Sequence, residues 1–98
     1  MKHDQLVGQI TDEATGLGIW WHYCTDSRHC SGHPGFPDLV LIGARGALVA
    51  EVKVGDDRRS LRQVRWADRI RLASLRYQLW REGDWNSGWI QKQLREIA

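Results

Sequence analysis

Two short apolar runs around a glycine-flanked turn constrain the fold of this chain more than any other feature of its sequence. The first run follows Asp38 and ends at Gly43, and the second extends from Gly46 to Lys53. Runs of this length around a two-residue turn predict a β-hairpin. Because both faces of each run are apolar over most of its length, we expect central strands that helices cover on both sides of a sheet.

The segments on either side of the hairpin predict the remaining elements. Helices are predicted at about 3–17, 61–75 and 85–97, and further strands at about 19–23 and 77–80. Ser60 is a suitable N-cap for the second helix. The 98 residues form one domain, 1–98. The order αβββαβα predicts an α/β fold in which a mixed four-stranded sheet is flanked by helices.

The turn of the hairpin determines which side chains meet across it. If Gly43 pairs with Gly46, the antiparallel register places Asp38 directly opposite Glu51, with Cβ atoms about 4.5–5.5 Å apart. Alternation along the second strand puts Lys53 on the same face as Glu51. Packing gives no reason for three charged groups at one end of an apolar hairpin.

A divalent cation would offset the repulsion between the two carboxylates. Mg²⁺ prefers oxygen ligands and usually takes one or two carboxylates together with water and substrate phosphate. Asp38, Glu51 and the backbone carbonyl of Val52 are the candidate ligands. Lys53 could position a water molecule or neutralise charge that develops on a phosphate. The alternative is that Lys53 only forms salt bridges at the end of a strand.

The order of these residues resembles a known group of nucleases. Pro37-Asp38, twelve intervening residues and Glu51-Val52-Lys53 match the signature of the PD-(D/E)XK nuclease superfamily. More closely, residues 17–94 resemble the virus-type replication-repair nuclease (VRR-NUC) domain. The residues that carry this closer resemblance are Gly35-Phe36-Pro37-Asp38-Leu39-Val40, the Glu51-Val52-Lys53 triplet, Gln63 with Trp66, and Leu79-Trp80 followed by Asp84-Trp85.

This resemblance implies a restriction-endonuclease-like core and hydrolysis of DNA phosphodiester bonds that depends on Mg²⁺ or Mn²⁺. It implies that Asp38 and Glu51 are metal ligands, that Lys53 is the catalytic lysine, and that Gln63 supports the site from the following helix. Stand-alone members of the family resemble homodimeric enzymes that act on branched DNA. We therefore expect a homodimeric endonuclease for branched or structured DNA, of the Holliday-junction or flap type, in replication, repair or recombination.

The first helix departs from the family pattern. The family usually has a glutamate there, near the metal, whereas this chain has the segment His3-Asp4-Gln5-Leu6. In our interpretation Asp4 or Gln5 takes that place, with Glu13 as a more distant third candidate. The departure favours an alternative hypothesis, in which the protein is a catalytically weak or inactive nucleic-acid-binding module that keeps the nuclease fold.

Arginines are concentrated directly after the hairpin, where seven lie between positions 58 and 76. A row of them at helical spacing is predicted to contact the DNA backbone. These arginines are Arg58, Arg62, Arg65 and Arg69. In the long loop before the hairpin, Ser27 and Arg28 are further candidates for phosphate contacts. The alternatives are that the four arginines only form a solvated helix face and that Ser27 and Arg28 belong to an ordinary polar turn.

The cysteine content predicts a reducing compartment, because Cys24 and Cys30 alone do not make a disulfide-dense framework. We expect free cysteines, and the alternative is a structural zinc site that adds His22 and His33. There is no membrane-spanning run and no apolar core of a signal peptide. We therefore expect no membrane partner and a location in the cytoplasm of a bacterial or phage-infected cell.

Six tryptophans are present in this short chain. Trp66, Trp80 and Trp85 are expected to pack between the sheet and the helices. Trp20 and Trp21 are neighbours on a predicted strand, so one of them faces outward unless a helix covers it. The alternatives for the outward residue are a dimer contact, core packing under a helix, and stacking on a DNA base.

Overall fold

A computed structural model describes residues 1–24 and 30–98 of the chain, so the predicted contacts Ser27 and Arg28 lie outside the described residues. The described elements are α1 (His3–Gly16), β1 (Trp20–Tyr23), β2 (Leu39–Ile42), β3 (Ala47–Val52), α2 (Leu61–Leu72), β4 (Tyr77–Trp80), α3 (Glu82–Asn86) and α4 (Trp89–Ile97). The strands form one sheet in the order β1-β2-β3-β4. Only β3 and β4 are parallel. The predicted α/β fold with a mixed four-stranded sheet is confirmed.

The hairpin formed by β2 and β3 has the predicted register. Leu39 pairs with Ala50 in the antiparallel ladder. The residues on their outer sides, Asp38 and Glu51, therefore lie opposite each other. A slip of one residue would have sent the two carboxyl groups to opposite faces of the sheet.

One face of the sheet packs on α1 and α4 and forms the main core. The buried strand residues of this face are Leu39, Leu41, Leu48, Ala50, Val52 and Trp80. The buried helix residues include Leu6, Ile10 and Ala14 from α1 and Ile90 and Leu94 from α4. Each large aliphatic side chain in such a core contributes about 1.5–3 kcal/mol to stability. The Trp80 indole donates to Gln93 Oε1 at 2.6 Å, so this buried N–H group is satisfied.

The other face of the sheet is covered by α2 over β3 and β4. The buried members of the small cluster formed there are Ala67, Ile70 and Tyr77. The same face of β1 and β2 is open, since Trp20 is 83% exposed and Ile42 is 51% exposed. The expectation of helices on both sides therefore holds for β3 but not for β2, because the single helix α2 spans only half of the sheet.

The C-terminal helix predicted at 85–97 consists of two helices, so the observed order is αβββαβαα. Helix α3 begins at Glu82, because the Asp84 carboxylate accepts a hydrogen bond from the Arg81 amide at 2.9 Å and caps the first turn. Gly88 then adopts a φ of +83°. A left-handed residue cannot continue a right-handed helix, so α4 begins anew after it.

Helix α2 is also shorter than predicted. It ends at Leu72 rather than near Leu75, because Ser74 adopts a φ of +62°. Leu61, at the start of the helix, is 64% exposed. The part of α2 that packs on the sheet begins later, around Ala67.

The structure joins Cys24 to Cys30 by a disulfide, so the expectation of free cysteines is wrong. Their Cα atoms lie 6.8 Å apart, within the range that such a bond can span. The described residues contain no group of three or more His, Cys, Asp or Glu side chains arranged to hold a metal ion. Within the same part of the chain, no helix is long and apolar enough to cross a membrane.

Gly43, at the turn of the hairpin, lies against the C-terminal end of α4. A Cβ atom at this position would overlap the carbonyl oxygen of Ile97. That oxygen accepts a hydrogen bond from the Arg45 amide at 2.9 Å, so it cannot easily move. We expect Gly43→Ala to lower the free energy of unfolding by about 1–3 kcal/mol, the usual range for overpacking, as measured by urea denaturation.

The matched control is Gly8→Ala in α1, where a Cβ atom would meet nothing within 4 Å. This variant should be at least as stable as the wild type, because alanine favours helix more than glycine does. An unchanged denaturation midpoint for Gly43→Ala would mean that the end of α4 does not pack on the turn.

Candidate active site

Three charged side chains gather at one end of the hairpin, where β2 begins and β3 ends. Asp38 directly precedes β2, Glu51 lies within β3, and Lys53 directly follows it. The register places Asp38 opposite Glu51, and alternation places Lys53 on the same face as Glu51. The structure thus brings together the three residues that the hairpin pattern predicted to meet.

The Asp38 carboxylate is held by the strand that it faces. Its Oδ2 atom accepts a hydrogen bond from the Val52 amide at 2.9 Å and lies 3.3 Å from Nε2 of His3. The side chain is 21% exposed. The carboxylate is therefore fixed in orientation and still accessible from solvent.

Glu51 is buried, with 1% of its surface exposed. Its Oε1 atom accepts a hydrogen bond from Gln63 Nε2 at 3.1 Å, but Oε2 has no hydrogen-bond partner in the described part of the chain. Burial, followed by the negative charge of Asp38, raises the pKa of Glu51 to about 9, while Lys53 and Arg59 act in the opposite direction. Without a cation, this carboxyl group therefore keeps its proton at neutral pH.

Lys53 and the Val52 carbonyl complete the polar end of β3. The Lys53 ammonium lies 3.7 Å from Asp57 Oδ2, and only 12% of the lysine side chain is exposed. The Lys53 amide donates to the Trp80 carbonyl at 3.0 Å, on the β4 side of the strand. Because C=O and N–H of a trans peptide point in opposite directions, the Val52 carbonyl points to the side of Asp38.

Gln63 reaches Glu51 because the capping of α2 fixes its position. The Gln63 amide donates to Ser60 Oγ at 3.2 Å, and the Ser60 amide donates to Gln63 Oε1 at 2.8 Å. This reciprocal capping box confirms Ser60 as the N-cap. It also leaves Nε2 of Gln63 free to donate to Glu51.

The first helix brings His3 to the carboxylates, a residue that the sequence analysis did not single out. The His3 ring lies between Asp38 Oδ2 at 3.3 Å and Asp4 Oδ1 at 3.5 Å. The Asp4 side chain is 91% exposed. Gln5 caps the start of α1, and Glu13 lies at its far end. The signal in the sequence was the position of His3 at the start of the first helix. The contact itself depends on how α1 packs against the end of the hairpin.

Three of the four arginines in the predicted row line one groove. The groove lies between α2 and the loop before β2, and its lining residues are His33, Pro34, Arg62, Arg65, Trp66 and Arg69. The Trp66 indole holds the loop on the helix by donating to the carbonyls of His33 and Pro34, both at 3.1 Å. Arg58 is exposed, and its side chain is outside this lining.

Arg59 is a second residue near the site that the sequence analysis missed. Its guanidinium donates to the Tyr77 hydroxyl at 3.4 Å, and its charge lowers the pKa of Glu51. In the sequence it is one of seven arginines between positions 58 and 76. Its place directly before the N-cap of α2 is the signal that could have distinguished it.

Comparison with known proteins supports the fold. No family model matches the chain, and no curated protein matches it. A solved structure described as a VRR_NUC domain matches with a TM-score of 0.55 and 24% sequence identity, over 74% of this chain and 80% of that chain. The protein therefore has a VRR-NUC-like fold.

The raised pKa of Glu51 makes the stability of the metal-free protein depend on pH. The folded state keeps this proton up to about pH 9, whereas the unfolded chain releases it near the ordinary value of 4.5. The folded state binds more protons in this window, so stability falls as the pH rises through it. In EDTA, we expect calorimetry to show a lower unfolding temperature at about pH 8 than at about pH 5.5.

Glu51→Gln should flatten this dependence, because glutamine has the shape of the protonated acid and does not titrate. At the higher pH the variant should be more stable than the wild type without metal. Glu13→Gln, on the far part of α1, is the control and should keep the wild-type slope. A Glu51→Gln protein with an unchanged slope would show that another group causes it.

Proposed function

We propose that this protein is a metal-dependent endonuclease that hydrolyses DNA phosphodiester bonds. The observation that supports it best is the pair of Asp38 and buried Glu51, with Lys53 on the same face. A buried carboxyl oxygen without a partner lowers stability, and a second carboxylate beside it increases the penalty. A bound cation would give this oxygen a partner and offset the repulsion between the two carboxylates. The order of motifs and the shared fold with a VRR_NUC domain add support by analogy.

The donor set fits Mg²⁺ or Mn²⁺. Mg²⁺ commonly binds one or two carboxylates and completes its octahedron with water and phosphate oxygens, so it needs no larger cluster of side chains. Asp38 and Glu51 would hold the ion together with the Val52 carbonyl, and Asp4 is the remaining acidic candidate from the first helix. When bound, the ion would neutralise the carboxylates and stabilise negative charge on the scissile phosphate.

The other residues of the site would hold and orient the reacting groups. The nearly buried Lys53 ammonium would donate a hydrogen bond to the attacking water or to a phosphate oxygen. Gln63 donates to one Glu51 oxygen and leaves the other without a partner in the described part of the chain, where it could bind the ion. Water would attack the phosphorus and the bond to the 3′ oxygen would break, which leaves a 5′-phosphate and a 3′-hydroxyl, as the family resemblance implies.

DNA is the proposed substrate, and the arginine groove supports this part of the proposal. Arginine-lined surfaces bind DNA through its phosphates, and the groove lies on the same helix as Gln63. The proposed DNA contacts are Arg58, Arg62, Arg65, Arg69, Ser27 and Arg28. A preference for branched or structured DNA, of the Holliday-junction or flap type, rests on the family resemblance, as does a role in replication, repair or recombination.

The second candidate function is a catalytically weak or inactive nucleic-acid-binding module. One observation favours it: Asp4 is largely exposed, so the first helix presents an imidazole rather than a glutamate to the carboxylates. Such a module would bind DNA through the arginine groove without cutting it. Metal-dependent cleavage distinguishes the two functions.

Lys53→Ala tests the proposed nuclease. We expect it to lower cleavage of junction and flap DNA in Mg²⁺ or Mn²⁺ by about 10²-fold or more, because a charge that stabilises the transition state is lost. DNA affinity in Ca²⁺, measured by fluorescence anisotropy, should change little. Lys92→Ala, on α4, is the matched control and should cleave like the wild type. Retained cutting in Lys53→Ala would exclude the catalytic lysine, and no cutting by the wild type would favour the binding module.

A homodimer is a further part of the proposal. Two symmetric sites in a dimer could cut two strands of a branched DNA. The open face of β1 and β2 supports it, because Trp20 and Ile42 form an exposed apolar surface there. We place the activity in the cytoplasm of a bacterial or phage-infected cell, where the DNA would be accessible, although a disulfide such as Cys24–Cys30 is uncommon in a reducing compartment.

Trp20→Ser tests this interface. We expect the variant to sediment as a monomer under conditions in which the wild type is a dimer, because the largest apolar side chain of the open face is removed. Leu72→Ser, at the end of α2 and 86% exposed, is the control and should leave the dimer intact. A wild type that sediments as a monomer, or a Trp20→Ser variant that remains dimeric, would exclude a dimer through this face.

A further inference from the structure

Arg59 lies between the start of α2 and the start of β4, beside the proposed site. It directly precedes the N-cap Ser60, and its guanidinium donates to the Tyr77 hydroxyl at 3.4 Å. Tyr77 pairs with Val49 in the parallel ladder, two residues before Glu51 and on the same face of the sheet. The guanidinium is therefore held close to the buried carboxyl, and its charge lowers the pKa of Glu51.

Most N–H donors of Arg59 have no partner in the described part of the chain. A guanidinium has five N–H donors, and in the described part of the chain the hydrogen bond to Tyr77 is the one polar contact of this side chain. Other half-buried arginines are better paired. Arg81 donates to two backbone carbonyls in the loop after β3, and Arg76 lies 3.1 Å from a carboxylate oxygen of Glu96.

The charges around the site leave a place for an anion. With a divalent cation bound, the carboxylates of Asp38 and Glu51 would balance its charge, and Lys53 and Arg59 would remain. Lys53 has the exposed Asp57 nearby, whereas no carboxylate lies within ion-pair distance of Arg59 among the described residues. A phosphodiester brings negative charge to this position, and the charge spreads over its oxygens in the transition state.

We propose that Arg59 and Tyr77 form a phosphate-binding subsite. In this subsite the Arg59 guanidinium binds an oxygen of the phosphodiester being cut, and the Tyr77 hydroxyl positions the guanidinium. The inference rests on the proposed nuclease function and adds a substrate-binding residue to it. Arginine suits this task because its planar fork presents parallel N–H groups to phosphate oxygens. The hydroxyl of the buried Tyr77 fixes the orientation of the Arg59 guanidinium, so the guanidinium is preorganised for the phosphate.

Arg59→Ala and Arg59→Lys test the subsite with junction DNA as the probe. For Arg59→Ala we expect kcat/KM in Mg²⁺ or Mn²⁺ to fall by about 10²–10³-fold. In Ca²⁺, the slope of log affinity against log salt should become shallower by about 1, as expected for one lost phosphate contact. Arg59→Lys should recover the salt slope but little of kcat, because lysine is a point charge without the fork. Tyr77→Phe should lower kcat in the same direction by a smaller factor.

Arg71→Ala is the matched control, since the Arg71 guanidinium lies 4.7 Å from the ring centre of the same tyrosine, on an exposed side chain. It should keep the wild-type kcat/KM and salt slope. Thermal unfolding of every variant separates loss of fold from loss of the contact. The inference is overturned if folded Arg59→Ala keeps the wild-type salt slope and kcat/KM, or if Arg71→Ala loses as much activity. If the wild type does not cut DNA, the proposed function fails, and the salt slope in Ca²⁺ still decides whether Arg59 binds phosphate.

Discussion

The register of the β2–β3 hairpin is the constraint on which both the core and the site depend. The Gly43 amide donates to the Gly46 carbonyl at 2.8 Å and closes the turn, so every later pair along the ladder is determined. Because side chains alternate, this one register sends the large aliphatic residues to α1 and α4, turns Glu51 to the opposite face and places Asp38 beside it. The same geometry that builds the core therefore assembles the carboxyl pair, and neither can change without the other.

The carboxyl pair is placed where the fold can tolerate it. Glu51 is buried beside Gln63 of α2, and the capping box that starts this helix fixes Gln63 as its hydrogen-bond donor. Asp38 is held by a backbone amide of the facing strand. Within the pair, the buried Oε2 of Glu51 has no hydrogen-bond partner in the described part of the chain. The desolvation cost of the pair is therefore concentrated at this atom.

What the sequence predicted well was determined by neighbours along the chain. The hairpin register follows from a two-residue turn, and the position of Gln63 follows from Ser60 three residues before it. His3 and Arg59 were missed because their contacts, to Asp38 and Tyr77, depend on how a helix and a strand pack across the sheet. The interruption between α3 and α4 at Gly88 is local and could have been recognised from the sequence. The exposure of the β1–β2 face could not, because it depends on how many strands α2 covers.

If the proposed site binds a cation, the cation and the Glu51 proton would be alternatives at the same carboxyl pair, and this competition would link the fold to the proposed chemistry. With its pKa near 9, Glu51 is protonated in the metal-free protein at neutral pH, which removes the repulsion with Asp38 and stabilises the fold. A divalent ion must displace that proton, so its apparent affinity would increase with pH up to this value. Lys53 and Arg59 oppose cation binding but favour a phosphate, so metal and DNA would bind more tightly together than either would alone.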